Sequence, residues 1–274
     1  MRRLVIASNA KSVGQVSFGM PAALPSRLLG VALSLGIGAC ARAVQAPQPN
    51  DPPRQILERA IDQAGGAEAL EAARGFSWDG AAVVTAGGRD VRIAGRWEVQ
   101  PPDTAVVATY DVTQGAGATR SLVLATPRGW LVSGDRFSPL PATMMASERS
   151  EFYLYELIRL VTLTDTTVRL ASAPPDTVGQ TGIKVDQPGR PTAFLFMDSC
   201  GRLSHVRLQV PSPETGKLEW QDAWLTGVIE AEGVRWPREL RLLVDGKPYF
   251  DVLLQSLKVH PRLTNPLLRG PGKE

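Results

Sequence analysis

The sequence predicts a mainly β domain: a curved antiparallel sheet covered by helices, with one longer helix inserted between strands. Three observations carry this. After Gly75 the apolar positions change from steps of three and four residues to steps of two. The two-periodic runs are broken by Ala86-Gly87-Gly88, Pro101-Pro102-Asp103 and Gly115-Ala116-Gly117, which is the spacing of an antiparallel meander. Midway, a single long helical pattern from Ala142 to Val161 interrupts the runs.

Residues 1–40 read as a processing signal rather than part of the fold. Leu28 to Ala39 is an uncharged, mostly apolar run of 12 residues, whereas a membrane-spanning helix needs roughly 20. Arg27, the short apolar core and the small residues after it are the parts of a secretory signal. Synthesis can begin at Met20, or residues 1–19 can serve as a long basic leader. Two cleavage readings compete. Ala41-Arg42-Ala43 has the small-x-small pattern of ordinary signal peptidase. Ile37-Gly38-Ala39-Cys40 resembles a bacterial lipobox, in which Cys40 is acylated with palmitate-type chains and becomes the new N-terminus. The lipobox is preferred because cysteine is scarce here and sits where lipidation requires it. Either way the chain is exported to the bacterial envelope. It is an outer-membrane lipoprotein facing the periplasm, or a soluble periplasmic protein if cleaved after Ala43.

Residues 41–53 carry Pro47, Pro49, Pro52 and Pro53 and read as an extended tether. Losing Arg2, Arg3, Lys11 and Arg27 with the signal leaves 26 basic against 27 acidic side chains. The sequence pI of 9.0 therefore describes the precursor, and the mature domain has no basic excess with which to neutralise nucleic acid. If Cys40 is acylated or removed, Cys200 has no intramolecular partner.

The domain itself is placed at 54–263. Arg54 to Ala64 forms a helix with Ile56, Leu57, Ala60 and Ile61 on one stripe; Gly65-Gly66 stops it, and Ala67 to Ala73 forms a shorter one. About ten strands follow. In the second, Val91, Ile93, Gly95, Trp97 and Val99 share a dry face, opposite Arg92, Ala94, Arg96 and Glu98. Asp245-Gly246 marks a tight hairpin between Leu240–Val244 and Tyr249–Val259. Residues 264–274 read as a loose C-terminal tail.

The chemical search is nearly empty. His205 and His260 are the only histidines, and neither has a ligand at metal-binding spacing, so no metal site and no cofactor are expected. Nucleophile-elbow, phosphate-loop and dinucleotide motifs are missing. Cys200 and His205 merit one look as a thiol and its base, but Asp198 to Arg202 reads better as a turn. No catalytic residue is assigned. The aromatics say more. Trp78, Trp97, Phe194, Phe196, Trp220 and Trp224 fall in strands, where they either fill a core or line a gap between sheet and helix able to take an acyl chain.

Three stretches resemble a known family. They are ILERAIDQAGGAEALEAARGFSWDG, FLFMDSCGRLSHVRL and GVRWPRELRLLVDGKPYFDVLLQSLKVHPRL, and with the order of elements they cover about Arg54 to Leu263. Together they resemble the LolA/LolB-like superfamily of bacterial outer-membrane lipoprotein carriers and receptors. The resemblance implies an unclosed β-barrel lidded by helices around a hydrophobic cavity, binding acyl chains, lipids or lipoproteins without making bonds. Cys40 is more like the anchored receptor than the soluble carrier. The alternative is a non-enzymatic envelope assembly protein with a filled interior, engaging envelope protein partners through its surface.

Overall fold

The computed structural model describes residues 46–48, 50–86 and 88–271. The signal segment and Cys40 lie outside the described residues. Helices α1 (Pro53–Gln63) and α2 (Ala67–Ala72) form the expected N-terminal pair. Pro53 stands in the first turn of α1, where a missing N–H costs nothing. Ile56, Leu57, Ala60 and Ile61 are its buried stripe. Gly65 turns the chain at φ 119°, and a Cβ there would lie 2.1 Å from the Gly233 carbonyl oxygen. Only glycine fits both conditions.

Strands β1 (Gly75–Ala86), β2 (Arg89–Gln100), β3 (Thr104–Asp111), β4 (Arg120–Ala125), β5 (Arg128–Ser133) and β6 (Arg136–Pro139) run as one meander. Helix α3 (Ala142–Arg159) follows. A second meander comprises β7 (Arg169–Ala173), β8 (Thr181–Asp186), β9 (Ala193–Met197), β10 (Leu203–Pro211) and β11 (Leu218–Thr226). A separate two-stranded ribbon, β12 (Ile229–Ala231) and β13 (Val234–Trp236), precedes β14 (Glu239–Val244), β15 (Lys247–Leu254) and β16 (Lys258–His260). Asp245 and Gly246, at φ 48° and 75°, make the expected tight turn between β14 and β15.

Because β14 pairs with β11 and β15 with β1, the two meanders fuse into one unclosed antiparallel sheet of fourteen strands. The sequence reading undercounted them. Short strands such as β6, β7 and β16 carry too few apolar alternations to stand out, and they exist because a neighbour offers a hydrogen-bonding edge.

The edges of this sheet are β6 and β7. The two strands are consecutive in the chain, so their connection must traverse the whole sheet. It can bury its apolar side chains only on the concave face. That connection is α3, whose second half, Phe152 to Arg159, is buried throughout. Topology thus makes α3 a cover. It is tied down at several points. Arg159 Nε donates to the Leu70 carbonyl at 3.0 Å, and Tyr153 Oη donates to Gln187 Oε1 at 3.1 Å. Arg190 bridges Asp103 (3.1 Å) and Glu156 (3.7 Å).

The concave face holds the main core, with Phe76, Trp78, Ile93, Trp97 and Val99 from β1 and β2, and Val206 and Leu208 from β10. The outer face is not uniformly wet, contrary to expectation. On β3 to β5 a second cluster forms from Val106, Val123, Trp130 and Val132, and Leu267 and Leu268 pack onto it. Residues 264–271 are therefore docked rather than loose. Asn265 caps a 3₁₀ turn over Pro266–Arg269 and donates to Glu98 Oε2 at 3.1 Å, while Leu263 N donates to Gln100 Oε1 at 2.9 Å. Among the described residues, no helix is long and apolar enough to cross a membrane.

Candidate ligand-binding cavity

Between α3 and the first meander lies a cavity of about 380 Å³. Strand register explains its walls. Trp97, Val107, Leu122 and Leu131 stand opposite one another across β2, β3, β4 and β5 and form an apolar row. Two residues along the strands, roughly 7 Å away, the next row reads Gly95, Thr109, Arg120, Ser133 and Arg136. Both rows line the cavity except for Gly95, which has no side chain to offer. Helix α3 supplies the roof with Met144, Glu148, Glu151, Phe152 and Tyr155, and Leu242 and Phe250 close one side. The site is concave and mostly apolar, with a few polar groups on one wall, which is the usual character of a small-molecule site.

Glu148 is the anomalous group here. It is only 9 % exposed and makes no hydrogen bond or ion pair with a described residue. Burial, and then the neighbouring Glu151 charge, hold its carboxyl well above the ordinary glutamate range. Burial likewise pushes the Tyr155 hydroxyl upward. Gln221 Nε2 donates to Glu151 Oε1 at 3.2 Å, linking the helix to β11.

This carries a pH prediction. Below the unfolded-state value of roughly 4.3, Glu148 is protonated in both states and its burial is not opposed. Above it the unfolded chain ionises while the folded chain keeps its proton, so stability falls as pH rises toward the folded value. Glu148→Gln removes this slope. In urea melts between pH 4.5 and pH 8, the stability of Glu148→Gln relative to wild type is expected to grow with pH. A difference that stays constant across that range contradicts the assignment.

The aromatic residues predicted to line one cavity divide between two faces. Trp97 lines the cavity. Trp78 pairs with it across β1 and β2 and is fully buried behind it, 6.4 Å from Trp97 and 5.3 Å from Tyr155 between ring centroids. It is core. Phe194, Phe196, Trp220 and Trp224 point outward instead, and β11 turns Gln221, Ala223 and Leu225 toward the concave side. Periodicity groups the residues of a strand but does not say which group faces the core, and a one-residue choice inverts the face. Glu148, Glu151, Arg120 and Arg136 escaped the sequence reading. The available signal was a Glu pair three apart on the helix stripe that also carries Phe152 and Tyr155.

The outward aromatics surround His205, which is 3 % exposed. Its ring lies between Trp224 (4.0 Å, 6°) and Phe196 (5.0 Å, 18°). Gly182 makes room for this stack, since a Cβ there would lie 2.6 Å from the Phe196 ring. His205 Nδ1 meets Asp176 Oδ2 at 3.1 Å and Nε2 meets Asp222 Oδ1 at 2.9 Å. The imidazole thus bridges two carboxyl groups, one through each ring nitrogen. Asp176 also accepts from the backbone N–H groups of Val178 (3.0 Å) and Gln180 (2.8 Å). The cluster therefore clamps the 174–180 loop to the sheet.

Cys200 is not its partner. The DSCGR segment is the expected turn, with Asp198 Oδ1 accepting from Cys200 N (2.8 Å) and Arg202 N (2.9 Å). His260 lies elsewhere, 2.8 Å from the buried Ser77 hydroxyl, joining β16 to β1.

Solved structures share this architecture. An outer-membrane lipoprotein-sorting protein domain from Vibrio parahaemolyticus is 12 % identical with a TM-score of 0.50, the match covering 79 % of this chain and 97 % of that one. A LolA superfamily protein from Nitrosomonas europaea is 10 % identical with a TM-score of 0.51, covering 80 % and 97 %. No protein-family profile and no curated protein matches the chain. At these identities the likeness speaks to the fold, and the fold is LolA-like.

Proposed function

We propose that the protein is an exported, lipid-anchored binding protein of the bacterial envelope that holds an acyl chain, lipid or lipoprotein in the cavity beneath α3. The observation that carries this reading is the apolar space of about 380 Å³ left between the helix and the sheet. A cover helix that served packing alone would fill it, because a void forfeits dispersion contacts on every lining atom. The alternative, an assembly protein with a filled interior, is the poorer fit for the same reason. Binding by burial yields about 0.8 kcal/mol per methylene with little demand on the head group, which suits a carrier. A fold shared with a domain described as an outer-membrane lipoprotein-sorting protein and with a LolA superfamily protein supports the reading. The test is saturable binding of a fluorescent long-chain fatty acid to the purified mature chain, or lipid co-purifying with it. Failure of both removes the proposal.

Anchoring is proposed through Cys40. Labelled palmitate is expected to enter the wild type but not Cys40→Ala. A mature chain that begins unacylated at Val44 argues against the anchor.

A further inference from the structure

One position on the roof of the cavity breaks the pattern of its helix. Met144, Glu148, Phe152 and Tyr155 follow one another on α3 at steps of four, four and three, so they share a stripe, and all of them line the cavity. Phe152 and Tyr155 are buried there. Periodicity calls for an apolar side chain at 148 as well, and the chain supplies a carboxyl. Glu148 is buried but has no hydrogen-bond or ion-pair partner among the described residues. Glu151 beside it does have one, the Gln221 amide. Buried polar groups are ordinarily paired within the protein, and binding sites are where that rule is broken.

The opposite wall supplies the reverse chemistry. Thr109, Arg120, Ser133 and Arg136 on the strands can all donate hydrogen bonds, so phosphate, ester or carbonyl oxygens of a ligand find partners on the floor. Glu148 needs a donor instead. A carboxyl keeps an acceptor oxygen whether or not it is protonated. Before a ligand enters, water meets that need. A ligand lying against α3 displaces the water, and one without a donor leaves the oxygen bare. A site with a buried acceptor therefore rejects the analogue that lacks the matching donor. Burial of the tail sets the affinity; Glu148 adds one demand on the polar group.

Resting on the carrier reading above, we infer that the ligand's polar group carries an N–H or O–H donor, from an amide, a hydroxyl or an ammonium, and that the Glu148 carboxyl holds it.

The test is calorimetric titration of the mature chain with three matched pairs, in each of which methylation removes the donor. They are N-decylacetamide and its N-methyl derivative, decylammonium and decyltrimethylammonium, and decanol and its methyl ether. In at least one pair the donor is expected to tighten binding about tenfold or more. The pair that shows the effect identifies the donor. Glu148→Leu, which restores the apolar stripe and whose folding a thermal melt checks, is expected to reduce that preference to within about threefold. Equal binding within all three pairs by the wild type overturns the inference without recourse to any variant. So does a preference that survives Glu148→Leu. In either case saturable binding of the fluorescent fatty acid leaves the carrier reading standing. Binding of none of these probes, the fatty acid included, overturns both.

Discussion

Replacing Leu122 with tryptophan is expected to weaken binding of a long-chain fluorescent fatty acid by about fifty-fold, with the domain still folded. Leu122 stands in the middle of the apolar row, between Val107 and Leu131, with the cavity above it. An indole there occupies space that a chain would use. Excluding three methylenes at about 0.8 kcal/mol each removes about 2.4 kcal/mol, which is the stated factor. Overpacking normally destabilises a core because there is no room; here there is, so the thermal midpoint should hold or rise. Leu218→Trp is the control, since Leu218 is exposed at the start of β11 and outside the cavity. The measurement is a fluorescence titration paired with a melt. Unchanged binding by the folded Leu122→Trp variant would show that ligand does not enter this space.

The second large effect is structural. His205→Ala is expected to destabilise the fold by about 3 to 5 kcal/mol, the usual result of truncating a buried ring and leaving its hydrogen-bond partners unsatisfied. The substitution leaves Asp176 and Asp222 without the imidazole between them and leaves Trp224 and Phe196 facing a void. For a domain of this size the melting temperature should drop by about 10 °C or more. Amide exchange should accelerate first over 174–180, because the cluster is what holds that loop. Fatty-acid binding by the still-folded fraction should be unchanged, because His205 lies on the other face of the sheet from the cavity. A loss below about 1 kcal/mol would mean that the two carboxylates find water instead, and that the aromatic stack alone supports the loop.

Much of the architecture could be read from residue patterns because local rules decide it. The α1–α2 pair follows from an amphipathic stripe and Gly65-Gly66. The turn between β14 and β15 follows from Asp245-Gly246, and the one around Cys200 follows from Asp198, whose side chain caps its own backbone. The dry face of β2 followed from alternation alone: Ile93, Trp97 and Val99 are buried as expected. In β11 the same reasoning could not choose a face. Trp220, Trp224 and Leu218 alternate with Gln221, Ala223 and Leu225, and both sets are apolar enough to face inward. Small Ala223 and polar Gln221 are fully buried, and Glu151 supplies the hydrogen-bond partner that Gln221 needs there.

What the sequence by itself determined is the N-terminal helix pair, the long helix set between runs of strands, the tight turns and the one-sided apolar face of β2. Each depends on residues close together in the chain. What only the tertiary structure decided is which strands meet at β1 and β15, and hence that β6 and β7 become opposite edges. That closure of distant contacts sends α3 across the concave face, brings Glu148 and Leu122 into the lining of one cavity, and gathers Asp176, His205 and Asp222 into one cluster from three separate segments. No periodicity encodes such meetings, because pairing of strands far apart in the chain is chosen by global burial and not by local preference.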